Sequence, residues 1–109
     1  MIRRGDLLPI AVAGDFGKPR PALVIQSDFF DQHPTVTVLL LTSTLADAPL
    51  LRIEVNPSEQ NGLQAVSQVM IDKAMTVRRE KLGSPFGRLE SEMLLEVDRC
   101  LAVFLGVVS

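Results

Sequence analysis

Eight consecutive residues, Thr35–Thr42 (TVTVLLLT), constrain the fold of this chain more than any other feature. Threonine and valine branch at Cβ, which crowds a helix and suits a pleated strand. The segment is predicted to be a strand that ends in the polar triplet Thr42-Ser43-Thr44. The remaining apolar residues mostly fall into equally short runs between turn signals, the signature of strands.

Asp6–Val12 reads as a first strand. Pro9 inside it demands an edge or a bulge, because proline cannot donate to a ladder. A glycine-bearing loop, residues 13–19, leads to a second strand, Arg20–Gln26, whose Ala22-Leu23-Val24-Ile25 is too continuously apolar for a half-wetted sheet. Residues 27–32 suit one helical turn capped by Ser27 or Asp28 and stopped at His33-Pro34. Leu51–Val55 and Ala65–Val77 complete the strands, the latter as one strand or two with a bend. Near its end Val69 and Ile71 face one way and Met70 and Asp72 the other.

Ser91–Leu105 is the one long helix: Leu94, Val97, Leu101, Phe104, Leu105 and Val108 recur at helical spacing, and Gly106 offers a stop. Short strands followed by a terminal helix predict a strongly bent antiparallel sheet or barrel closed by that helix. With 109 residues and no visible linker or repeat, residues 1–109 are expected to form one domain. Apolar residues make up 47% of the chain, rich for so small a core, which predicts a homodimer.

Function classes fall away next. The net charge of −2 argues against non-specific coating of nucleic acid. Cys100 alone makes no internal disulfide, and with His33 as the only histidine an ordinary zinc site is out of reach, so neither metal nor cofactor is expected. No apolar run approaches the roughly 18 residues of a membrane span, and Met1-Ile-Arg-Arg-Gly-Asp does not open a secretory signal, so a cytoplasmic protein is expected. The phosphate-cradling glycine loop and the nucleophile elbow are absent, so chemistry would rest on Arg, Lys, Asp, Glu, Ser and Thr.

Gly5-Asp6, Arg20-Pro21-Ala22-Leu23-Val24-Ile25, Leu41-Thr42-Ser43, Asp72-Lys73 with Thr76-Val77, Leu82-Gly83 with Gly87-Arg88-Leu89, and Glu96-Val97-Asp98 follow one another in an order and spacing that resembles the MazF/PemK/Kid family of type II toxin–antitoxin ribonucleases. The resemblance runs over essentially the whole chain. It implies an SH3-like β-barrel with a C-terminal helix, mainly β, working as a homodimer. It further implies metal-independent, sequence-specific cleavage of single-stranded RNA and neutralisation by a cognate antitoxin protein.

Arg20 stands where that family has its active-site arginine. A guanidinium presents a planar fork matching two phosphate oxygens and keeps its proton, which favours charge stabilisation over acid catalysis. Thr42 matches the active-site threonine, a hydroxyl donor with Ser43 beside it, and Asp72 matches the acidic position that some members use as base. Lys18, Lys73, Thr76 and Arg78 are the expected RNA contacts, and Phe16 offers a stacking face. Residues 70–88 hold Lys73, Arg78, Arg79, Lys81 and Arg88 against Asp72 and Glu80, a basic stretch in an acidic chain. Phe29 and Phe30 are assigned to core or dimer contact, His33 to an exposed turn and Cys100 to packing.

Met70 and Met75 depart from the pattern, standing where family members carry arginines. They make a catalytically weakened binding module one alternative. A gyrase-binding toxin of the CcdB type, which shares the barrel, is the other. That family uses a C-terminal tryptophan, and this chain has none.

Overall fold

Thr35–Thr42 becomes β3, and the sheet is built outward from it. The structure is a computed structural model that describes residues 1–11 and 18–108. Its other elements are β1 (Asp6–Ala11), β2 (Pro19–Val24), β4 (Arg52–Val55), β5 (Ser67–Arg78), β6 (Gly87–Arg88) and α1 (Ser91–Phe104). All pairings are antiparallel in the order β4-β5-β3-β2-β1-β6. The sheet curls into a half-barrel with β4 and β6 at its two edges, and the C-terminal helix closes it as expected. A 3-10 turn, Asp28–Phe30, follows β2, with Ser27 Oγ accepting the Phe29 N–H at 3.2 Å.

The curl has a local cause in β5. Leu39 pairs with Ala74 and Leu41 with Val69, so Leu40 alone opposes residues 70–73. Surplus residues on one strand bend it and increase its twist. The long apolar segment is therefore one strand with a bend.

Side chains alternate between two buried layers. Leu7, Leu23, Leu39, Leu41, Ile53, Val55, Val69 and Ile71 pack with Val97 and Cys100 of α1. Leu8, Ile10, Ala22, Val24, Val36, Val38, Leu40 and Met70 fill the opposite face, covered by Ile2, Met75 and Leu82. Val69 and Ile71 thus separate from Met70 and Asp72 as the alternation predicts, with Met70 buried and Asp72 exposed.

The helix ends at Phe104, and Gly106, at φ +75°, turns the chain out of it in a conformation that suits glycine. The expected stripe is covered only as far as Leu101: Val97 and Cys100 are buried and Leu101 packs beside them, whereas Phe104, Leu105 and Val108 are at least half exposed. Burial pushes the Cys100 thiol up, with the Glu96 carboxylate adding to the effect.

Candidate active site

Two prolines shape the entrance to the site. Pro9 lies directly across from Pro21 in the β1–β2 ladder, a pairing possible only where neither residue must donate to the other. The Pro9 carbonyl accordingly points away from β2, accepting the Gly83 N–H at 2.8 Å. The missing donor of Pro21 then faces β3, and pairing between β2 and β3 runs only over residues 22–24. Arg20, half-buried, lies just beyond that limit.

Followed two residues past Ala22↔Leu40, the β2–β3 register brings Arg20 level with Thr42. Both alternate with members of the second core layer, Arg20 with Ala22 and Thr42 with Leu40, and so share the face away from α1. Thr42 pairs in turn with Gln68, and Gln68 with Glu54. A row of polar side chains, Arg20, Thr42, Gln68 and Glu54, therefore crosses β2, β3, β5 and β4 on one face.

The row is internally fixed. Thr42 Oγ1 accepts the Thr44 N–H at 3.0 Å, which orients the hydroxyl and leaves its own proton to donate elsewhere. The buried Gln68 amide grips the following turn: Oε1 accepts from Ala46 N and Nε2 donates to Ala46 O, both at 3.0 Å. Arg52, next to Glu54 on the same face of β4, donates from Nη1 to Gln68 Oε1 at 3.0 Å and to the Thr44 carbonyl at 3.2 Å. Arg52 and Gln68 escaped the sequence reading. The signal that could have found Gln68 is a polar residue inside an apolar strand, two positions before Met70.

The other expected residues spread out. Asp72 and Lys73 are exposed in the β5 bulge opposite Leu40, close along β3 to Thr42. Ser43 is exposed beside Thr42, and Lys18 is exposed just before β2; Phe16 lies outside the described residues. Thr76 pairs with Thr37, its hydroxyl 2.7 Å from that of Thr37, and Arg78 pairs with Thr35 and lies 3.5 Å from Glu80. These rows are five and seven residues from Thr42, roughly 17 Å or more along β3. By alternation with Met75 they project from the opposite face to Arg20 and Thr42. Within one chain the extended β2–β3 register sets Arg20 level with Thr42, Ser43 follows Thr42 along the chain, and Thr76 and Arg78 lie apart.

Phe29 and Phe30 make an edge-to-face pair with centroids 5.1 Å apart, and both are exposed in the single chain, so they are not core. His33 is exposed, its carbonyl accepting from Arg79 Nε at 2.8 Å. Among the described residues no three His, Cys, Asp or Glu side chains cluster as metal ligands would.

Known proteins share the sequence pattern and the fold of this chain. Residues 3–105 match the family model of the PemK-like, MazF-like toxins of type II toxin–antitoxin systems. A probable endoribonuclease MazF of Mycolicibacterium smegmatis is 48% identical over 107 residues, covering 97% of this chain and 98% of that one. Endoribonuclease EndoA of Bacillus subtilis is 27% identical over 114 residues, covering 99% and 97%. Among solved structures, a mycobacterial endoribonuclease in complex with its cognate antitoxin superposes at a TM-score of 0.85 with 22% identity, covering 100% of this chain and 99% of that chain. A MazE–MazF complex from Deinococcus radiodurans gives 0.74 at 21%, covering 96% and 95%. At these identities the superpositions speak for the fold.

Proposed function

The chain belongs to the MazF-like endoribonuclease toxins of type II toxin–antitoxin systems, and we propose that it cuts single-stranded RNA at short sequences without a metal ion. In this reading the ribose 2′-OH attacks the adjacent phosphorus and the bond to the 5′ oxygen breaks. The products are a 2′,3′-cyclic phosphate and a 5′-OH. The nucleophile belongs to the substrate, so the protein must align the attack, stabilise charge on the phosphoryl oxygens and move a proton.

Arg20 supplies the charge stabilisation and Thr42 donates its hydroxyl proton to a phosphoryl oxygen. Asp72 takes the 2′-OH proton, and the leaving 5′ oxygen is protonated from water. Lys18, Ser43 and Lys73 contact RNA around this point, whereas Thr76 and Arg78, on the opposite face of the same chain, lie outside this track. The observation that carries the reading is the register that brings Arg20 level with Thr42 on one face, with the Thr42 hydroxyl oriented by Thr44 N–H.

A second chain is expected to complete the working unit. Ala48, Pro49, Leu50, Leu51, Val103 and Phe104 line an apolar groove of about 580 Å³, and Leu50, Phe104 and Leu105 are half or more exposed. A homodimer is the proposed state. The cognate antitoxin neutralises the toxin, and an acidic or extended segment of it is the proposed occupant of the surface that carries Lys18, Arg20 and Lys73. No helix among the described residues is long and apolar enough to cross a membrane, and action on RNA supports a cytoplasmic protein.

The test is direct. Purified protein is incubated with a long single-stranded transcript in excess EDTA and the fragment ends are mapped. Discrete cuts bearing 5′-OH and cyclic phosphate ends are expected. Loss of cleavage under chelation overturns the metal-free mechanism, and no cleavage under any condition overturns the assignment to RNA.

A further inference from the structure

We propose that Arg52 is a second RNA-contacting cation of this site, holding a phosphate next to the one that is cut. The inference rests on the ribonuclease reading and deepens it.

Position comes first. The register Arg52↔Met70 and Glu54↔Gln68 on β5, with Gln68↔Thr42 on β3, puts Arg52 on the face that carries Arg20 and Thr42. From β4 its side chain reaches back across Gln68 to within 3.2 Å of the Thr44 carbonyl. Thr44 is also the residue whose N–H orients the Thr42 hydroxyl. The guanidinium therefore contacts the backbone two residues after the proposed catalytic donor, at the residue that fixes that donor's hydroxyl.

Charge comes second. Both acceptors of Arg52, the Gln68 amide oxygen and the Thr44 carbonyl, are neutral. No carboxylate among the described residues lies within ion-pair distance of it, whereas Arg4 and Arg88 are each committed to an aspartate. Two neutral dipoles engage Nη1 and leave Nε and Nη2 to donate, a fork suited to phosphate oxygens. The mount is rigid, because Gln68 is buried and its amide is also bonded to Ala46. Pre-organisation of this kind lowers the ordering cost of binding.

The location answers a question raised by the sequence. Met70 stands where some members of the resembled family carry an arginine, and Arg52 is its direct cross-strand neighbour. Glu54, exposed on the same face and 3.5 Å from Gln68 Nε2, places a negative charge at the outer edge of the row. It is predicted to repel RNA, so its removal is a second test of opposite sign.

The experiment is steady-state cleavage of one defined single-stranded RNA at several salt concentrations by wild type, Arg52→Ala, Arg52→Lys and Glu54→Gln, with thermal melts as the control for folding. Arg52→Ala is expected to raise KM about tenfold while kcat changes little. It should also reduce the slope of log KM against log salt by about 0.7, the loss of one phosphate contact on a single strand. Arg52→Lys keeps the charge and should keep the slope. Glu54→Gln should lower KM.

An unchanged salt slope in Arg52→Ala overturns the proposal: Arg52 then only braces the turn after Thr42, and a fall in kcat alone would report that. Should Arg52→Ala melt below the assay temperature, Arg52→Gln, which keeps an amide donor for the turn, carries the same comparison. Failure of the wild-type chain to cut RNA defeats the ribonuclease reading instead, and Arg52 with it.

Discussion

Arginines do opposite work in two regions of this molecule. Around α1 they neutralise carboxylates. Arg88 is paired with the buried Asp6 and donates to the Arg4 carbonyl, and Arg4 meets Asp98 of the helix at 2.6 Å. Glu90 joins the same region, accepting from Ser58 Oγ at 2.6 Å and from the buried Asn61 amide at 3.2 Å. Gly87 is held so close to this turn that a Cβ would lie 2.2 Å from the Asn61 carbonyl. At the Thr42 end of the sheet Arg52 is instead held by neutral dipoles, and its charge is retained. A charge matched by a charge welds strand to helix, whereas a charge held by dipoles is kept for an anionic partner.

The contrast predicts that substitutions in the two regions separate activity from stability. Arg20→Ala carries the largest effect: cleavage should fall about a hundredfold or more with the melting temperature held, because a positioned donor to developing charge is lost from the end of a strand. An Arg20→Ala protein that is folded and fully active would remove the site assignment. Arg88→Ala should do the reverse. It leaves Asp6 buried without its cation and should cost about 3 kcal/mol in denaturant unfolding, while the folded fraction cuts RNA normally. Loss of activity without loss of stability would show that the weld belongs to the site.

Thr42→Val keeps the shape of the side chain and deletes the hydroxyl. A roughly tenfold fall in kcat is expected, with Thr42→Ser restoring most of it. The smallest effect concerns pH. The Ser58 hydroxyl bond, with help from Glu90's own backbone N–H and from Asn61, holds the Glu90 carboxyl below its ordinary value despite the opposing effect of burial. A lowered folded-state pKa means that the stabilisation is present above the ordinary carboxylate value and is lost as pH falls through the lower one. Thermal melts between neutral pH and strongly acidic solution should show that loss in the wild type, and Glu90→Gln should remove this part of the pH dependence.

Much of this was readable along the chain. β3 forms at the predicted residues because Thr and Val leave a strand as the favoured conformation. The burial of Cys100 and the separation of Met70 from Val69 and Ile71 followed from local rules, and of the two caps that those rules allowed, Ser27 and Asp28, the turn uses Ser27. β6 could not be read, since two residues, Gly87 and Arg88, carry no periodic signal. The exposed end of α1 was assigned to the apolar stripe because amphipathic spacing says which residues share a face and not how far the covering sheet extends. Arg20, Thr42 and Asp72 came from the resemblance, while Arg52 and Gln68 surfaced only once β4, β5 and β3 stood side by side.

Side-chain shape and alternation within each segment were enough to specify strands, a terminal helix and the residues that turn inward, because those preferences act over a few neighbouring bonds. Which strand lies beside which, and where a bulge shifts the register, depends on pairing between residues far apart in the chain. A single-residue slip in that pairing exchanges the two faces of a strand. The polar row that Arg20, Thr42 and Gln68 share with the neighbouring Arg52 exists only at that level.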